Sequence, residues 1–220
     1  MGEYQSERIL KSLEEEIRGM KVGDTLSSER VLAQNFGVSR NIIREVLKTL
    51  SERGMIEILP GKGAFIVDNS NKKFSQNLER ILARKNTSLK DIVEVREALE
   101  TQILLLDIDR ATEDDYKNFW DIYNKLEANR NNPEIYSKYD IMLHNAFAKA
   151  TRNAIYTLFV DTLYDITDRQ IFLINEAYPN YIESSQAEHK GLIEAVQNGD
   201  RDKIKEIAHV HFSDILSLGR

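Results

Sequence analysis

The chain has 220 residues, 41% of them hydrophobic and 30% charged, which is enough apolar material for two separate cores, and it has no cysteine for a disulfide, thiolate metal site or thiol nucleophile. No stretch reaches the roughly 18 apolar residues of a membrane span, and the opening run MGEYQSERILKSLEEE has no basic start followed by an apolar core, so a cytoplasmic protein is expected. The net charge of −6 divides into 10 basic and 11 acidic residues over 1–70 and 20 and 25 over 71–220, so neither part carries a general positive field.

Over residues 4–19, Ile9, Leu10, Leu13 and Ile17 recur at helical spacing with Glu14, Glu15 and Glu16 opposite, which predicts an amphipathic helix ending near Gly19. A second helix starts at Leu26-Ser27-Ser28-Glu29, capped by Ser27 or Ser28, and runs to Phe36. Gly37 supplies a turn, and Ser39 caps a third helix from Arg40 to about Arg53. Ile43, Val46, Leu47 and Leu50 line one face of that helix, while Arg40, Asn41, Arg44 and Lys48 share the other. Ile56-Glu57-Ile58 and Phe65-Ile66-Val67 can pair as a hairpin across Pro60-Gly61-Lys62-Gly63, which would hold a lysine and bare backbone N–H groups outward. Helix, turn, helix and wing in this order predict a winged helix-turn-helix over 1–70.

Arginine pairs with guanine O6 and N7 in two-point fashion, and asparagine does so with adenine N6 and N7, so Arg40, Asn41 and Arg44 have the chemistry of base readers. Arg30 and Ser39 are better placed for phosphate, as are Lys62 and the flanking Gly61 and Gly63 of the wing. The bland alternative for the three helix residues is a solvated helix face.

The runs Leu26-Ser27-Ser28-Glu29-Arg30-Val31-Leu32-Ala33, Phe36-Gly37-Val38-Ser39-Arg40, Arg44-Glu45-Val46-Leu47 and Gly61-Lys62-Gly63-Ala64-Phe65 resemble the signature of the GntR family of bacterial transcription regulators. The resemblance implies that Arg30, Ser39, Arg40, Asn41, Arg44 and Gly61 touch double-stranded operator DNA. Ser27 stands where that family typically has proline, and Asn41 where it usually has threonine, a change that bears on the operator sequence read.

Asn69 to Lys73 is polar and reads as a linker. Beyond it, 74–85, 88–107, 112–130, 133–150, 153–176, 179–198 and 200–218 each carry helical apolar spacing with caps or breakers between them. The expected fold is therefore mainly α: the winged domain followed over 74–220 by an all-helical antiparallel bundle of six or seven helices.

All four histidines lie in this second part. Asp140 and His144 are four apart on a helix whose inward stripe is Tyr136, Tyr139, Leu143 and Phe147. His189 aligns with Ile182, Leu192, Ile193 and Val196. His211 belongs to the stripe of Ile204, Ile207, Ala208, Ile215 and Leu218, and His209 is turned away by about 200°. Three imidazoles and a carboxylate facing one core suit a divalent metal, zinc first, with nickel or manganese also compatible. For any single histidine, a hydrogen-bonded core residue is the simpler explanation.

The runs Val93-Glu94-Val95-Arg96-Glu97-Ala98-Leu99-Glu100, Asp140-Ile141-Met142-Leu143-His144-Asn145-Ala146-Phe147 and Glu188-His189-Lys190-Gly191-Leu192-Ile193-Glu194-Ala195-Val196, with His211, resemble the ligand-binding domain of the FadR subgroup of GntR regulators. The resemblance implies that Asp140, His144, His189 and His211 are metal ligands and that Arg96 helps hold an effector carboxylate. An ion pair between Arg96 and Glu100 competes with that role. Asn145 and Arg169 are weaker pocket candidates, and Trp120 with Phe119 and Tyr123 reads as core or dimer packing.

The expected function is a ligand-responsive, homodimeric regulator of transcription, with repression the favoured sense, whose small organic acid effector binds at the metal. A purely structural metal and a metal-dependent hydrolase are the alternatives. The second leaves the winged domain without a purpose.

Overall fold

A computed structural model describes residues 2–218, and side chains within 5–178 and 180–218. The order is α1 (Gly2–Arg18), α2 (Glu29–Phe36), α3 (Arg40–Glu52), β1 (Ile56–Leu59), β2 (Gly63–Ile66), α4 (Ser70–Arg84), α5 (Leu89–Arg110), α6 (Glu113–Ala128), α7 (Pro133–Ala150), α8 (Ala154–Ala177), α9 (Pro179–Asn198) and α10 (Arg201–Leu218). The architecture is the expected one, mainly helical with a small two-stranded wing. The chain divides into two compact units between Asn77 and Leu78, inside α4.

In the first unit α1 packs on α3, and Ile9, Leu13, Ile43, Val46, Leu47 and Leu50 form a core closed by Ile56 and Ile66 of the hairpin. Ser28 and Ser39 cap α2 and α3 by accepting the N–H groups of Val31 and Ile42. The hairpin is antiparallel, with Ile56 opposite Ile66 and Leu59 opposite Gly63. Its tip needs glycine, because Gly61 and Gly63 adopt φ of +73° and +114°. The pairing starts earlier on the second strand than periodicity suggested, at Gly63 rather than Phe65, and ends before Val67. The segment before α2 joins the sheet edge: Gly23 N–H donates to Ile66 C=O and Leu26 N–H to Ala64 C=O, each at 2.9 Å.

The expected linker at 69–73 is not one. Helix α4 begins at Ser70, and Asn69 N–H donates to Gly54 C=O at 2.9 Å. Gly54 has φ +77°, and a Cβ there would sit 2.7 Å from the Asn69 carbonyl carbon and oxygen. A side chain at 54 therefore meets both a left-handed backbone and a backbone wall. Gly54→Ala is expected to destabilise the first unit by about 2 kcal/mol or more, seen as a lower urea midpoint by circular dichroism; an unchanged midpoint contradicts the contact.

In the second unit α5 touches α7, α8, α9 and α10, while α6 packs on α7 and α9. Capping boxes open α5, with Ser88 and Asp91, and α6, with Thr112 and Asp115. Asn132 and Asn153 cap α7 and α8, and Gly199 ends α9 in the left-handed conformation. Phe119 and Phe147 pack edge to face at 4.7 Å in the main core. Trp120 is half-buried, edge-on to Tyr123 at 5.4 Å, and its indole N–H donates to Gln197 of α9 at 3.1 Å.

Asp107, near the end of α5, is fully buried, and neither carboxyl oxygen has a hydrogen-bond partner among the described residues. Burial, with the charge of Asp115 adding to it against Arg152 and Arg110, pushes its pKa up to about 8. The folded state then keeps a proton that the unfolded chain loses near pH 4, so this group's contribution to stability declines as pH rises from about 4 to 8. Asp107→Asn removes that decline. The stability of the variant relative to the parent is expected to grow by about 1.4 kcal/mol per pH unit between pH 5 and 7.5, measured by urea unfolding in chelator. A pH-independent difference would contradict the buried, protonated carboxyl.

Candidate metal centre and nucleic-acid interface

Five helices converge on one buried polar cluster. Helix α5 contributes Arg96 and Glu100, α7 Asp140 and His144, α8 Tyr164, α9 His189 and α10 His211, all 6% exposed or less. Each sits on the apolar stripe of its own helix, so the burial that forms the bundle also brings these groups together. Close approach of α9 and α10 is helped by Gly191, where a Cβ would lie 2.7 Å from the Ile207 side chain.

His144, His189 and His211 each offer a ring nitrogen within 4.8 Å of the others. Nε2 of His144 lies 3.3 Å from Nε2 of His189, and Asp140 Oδ1 lies 3.2 Å from His189 Nε2 and 3.9 Å from His144 Nε2. Metal–ligand bonds of about 2.0–2.1 Å in a tetrahedron require ligand atoms about 3.3 Å apart. The three imidazoles therefore fit a divalent ion, with Asp140 a carboxylate beside two of them. The outer nitrogens support this: His144 Nδ1 is 2.5 Å from Glu100 Oε2, and His211 Nδ1 is 2.8 Å from Glu188 Oε2. A carboxylate at Nδ1 takes the ring proton there and leaves the Nε2 lone pair for an ion.

The electrostatics keep Asp140 ionised and His189 neutral, the forms that can bind a cation. Burial opposes the charge on Asp140, yet the His189 hydrogen bond and the neighbouring imidazoles hold its pKa well below the usual carboxylate range. Burial lowers His189 to about 4 against the pull of Asp140, so that ring is neutral at pH 7. Glu100 is held at about 2, despite burial, by Arg96 and His144.

Of the two readings of Arg96, the ion pair with Glu100 is present. Its Nε donates to Glu100 Oε1 at 2.9 Å, and the guanidinium lies over Tyr164 at 3.9 Å and Phe212 at 5.4 Å from the ring centroids. Its Nη1 is buried without a hydrogen-bond partner among the described residues. A buried, charged donor in that state is suited to a carboxylate.

Two sequence candidates are not brought into the cluster. Asn145 faces Asp161 of α8, its Oδ1 without a hydrogen-bond partner among the described residues, and Arg169 is exposed on α8. Asn145 follows His144 by one residue, which turns it about 100° off the ligand face. His209 is 71% exposed and pairs with Glu97 at 2.8 Å. Glu188 was not singled out from the sequence: its partner His211 is 23 residues away on another helix, and no spacing rule connects them.

In the first unit Arg30, Ser39, Arg40, Asn41 and Arg44 are exposed on α2, the cap and α3, and Gly61, Lys62 and Gly63 are exposed at the wing tip. Arg30 and Arg40 share a cleft with Pro60, Gly61 and Gly63. Arg44 is not loose: its Nε donates to Glu29 Oε2 of α2 at 2.8 Å, which leaves its other nitrogens directed by that contact. Among the described residues no helix is long and apolar enough to cross a membrane.

Comparison with known proteins assigns both units. Residues 5–66 match "Bacterial regulatory proteins, gntR family", and residues 91–214 match "FCD domain". The HTH-type transcriptional regulator LutR of Bacillus subtilis is 28% identical over 209 residues, covering 90% of this chain and 94% of LutR. The galactonate operon transcriptional repressor of Escherichia coli is 27% identical over 213 residues, covering 93% and 92%, and its Glc operon transcriptional activator 27% over 204, covering 86% and 80%. A solved structure of Streptococcus agalactiae GntR has the same fold, with a TM-score of 0.73 at 23% identity over 99% of this chain and 100% of the other. These relatives are regulators, not enzymes, so the hydrolase alternative falls away.

Proposed function

The chain belongs to the GntR family of regulators, with an FCD domain as its second unit, and from that premise we propose that it is a homodimeric, ligand-responsive transcription regulator of the cytoplasm. Its FCD unit binds a divalent ion, zinc first, through Asp140, His144, His189 and His211, and a small carboxylate beside that ion through Arg96. The observation that carries this reading is the buried histidine group, linked through Glu100 to a guanidinium whose Nη1 has no hydrogen-bond partner among the described residues. A solely structural ion would leave that nitrogen without a purpose.

When bound, the ion supplies a fixed positive charge that draws in an anion. The chain's own groups do the rest: Tyr164 and Phe212 orient the Arg96 plane, and Glu100 fixes its direction. One relative is described as a galactonate operon repressor, and galactonate carries the kind of carboxylate that a guanidinium can hold. Another is described as an operon activator, so the family places no sign on the response; repression is the sense proposed here. Effector binding shifts the population of two conformations that differ in operator affinity, by as much as the effector's preference for one of them.

On the DNA side, Arg40, Asn41 and Arg44 read base edges, and Arg30, Ser39 and the Gly61-Lys62-Gly63 tip hold phosphates. With basic and acidic residues nearly balanced over 1–70, affinity depends on these few contacts rather than on a broad field. Arg40→Ala is expected to weaken binding to a duplex selected from a random pool by about 10- to 100-fold in fluorescence anisotropy, with the circular dichroism spectrum unchanged. Unaltered binding would remove Arg40 from the interface. For the centre, metal analysis of purified protein is expected to find one ion per chain in the parent and a large loss in His144→Ala. Zinc at 100 times its Kd should add about 2.7 kcal/mol of stability to chelator-stripped parent protein. Negligible metal in both proteins would discard the site.

A further inference from the structure

Glu100 touches both chemistries of the FCD unit. Its side chain is 6% exposed; Oε1 accepts the Arg96 Nε–H at 2.9 Å, while Oε2 lies 2.5 Å from His144 Nδ1 and 3.5 Å from the Tyr164 hydroxyl. A guanidinium is a rigid, planar fork of five donors, so fixing it at Nε also fixes where its remaining N–H groups point. That single contact leaves Nη1 free of partners among the described residues. On the other side, the carboxylate at His144 Nδ1 sets the ring so that Nε2 lies among the other donors. His211 shows the same device in a simpler form, with Glu188 at its Nδ1.

Resting on the proposal above that this cluster holds an ion, we infer that Glu100 is a shared positioning residue, aiming His144 Nε2 at the ion and Arg96 Nη1 at the carboxylate ligand, whereas Glu188 serves the ion alone. Metal affinity and guanidinium orientation are thereby tied to one side chain. A Glu100 that merely neutralised Arg96 would have no influence on the ion. Glu100 and Glu188 thus form a matched pair, alike toward the metal and unlike toward Arg96.

The test uses the full chain, stripped by chelator and shown folded by circular dichroism. Zinc alone is titrated in competition with a chromogenic chelator, and Glu100→Gln and Glu188→Gln are each expected to bind it 10- to 100-fold more weakly. Nitrogen-15 spectra of the stripped proteins separate the two. The Arg96 Nε–H signal, protected by burial and its carboxylate, shifts or vanishes in Glu100→Gln and stays in place in Glu188→Gln. Should Glu100→Gln not fold, Glu100→Asp, whose carboxylate is one methylene too short to reach both partners, is expected to lose zinc affinity at least tenfold. Parental zinc affinity in a folded Glu100 variant, or an unmoved Arg96 signal in Glu100→Gln, overturns the inference while leaving the metal centre standing. No zinc binding by the parent protein overturns the metal centre itself and this inference with it.

Discussion

The second unit is built around a cost. An arginine at 1% exposure, two carboxylates and three imidazoles are packed where a helical bundle would ordinarily place leucine and phenylalanine. Removing a charge from water costs several kcal/mol, recovered only through close partners. Here each charge has at least one: Arg96 has Glu100 and two aromatic faces, Asp140 has His189, and Glu100 has Arg96 and His144. The bundle cannot slide one helix past another without parting these pairs, so the cluster fixes the register of five helices as well as forming a site.

Much of this was legible in the sequence because helices announce themselves. The stripes of Ile43, Val46, Leu47 and Leu50 on α3 and of Leu143 and Phe147 on α7 predicted burial from period alone, and residues sharing those stripes were carried inward with them. Asp140, His144, His189 and His211 are together because each lies on such a stripe. What periodicity cannot give is the partner across a helix interface. Glu188 reaches His211, and Arg44 reaches Glu29, through contacts between different helices. Arg169 illustrates the reverse: a residue type suited to the chemistry, on a helix that does line the cluster, yet turned to solvent.

Backbone pairing, too, leaves little trace in side-chain character. The run Gly23 to Leu26 has no strand-like alternation, yet it adds to the hairpin edge because β2 still had unused donors and acceptors. Polar composition at 69–73 suggested a free connection, whereas Gly54 lets Asn69 come close enough for a backbone hydrogen bond and α4 starts at once. In both places side-chain character was a poor guide because main-chain atoms make the contact.

The position of Trp120 gives the molecule an internal optical label. It is the chain's single tryptophan, lies on α6 against Tyr123 and is tied to α9 through Gln197. Intrinsic indole emission therefore originates wholly in the FCD unit, and the winged unit is dark at those wavelengths. Loss of the α6–α9 contact and loss of the DNA-reading fold are thus spectroscopically separable without any added dye.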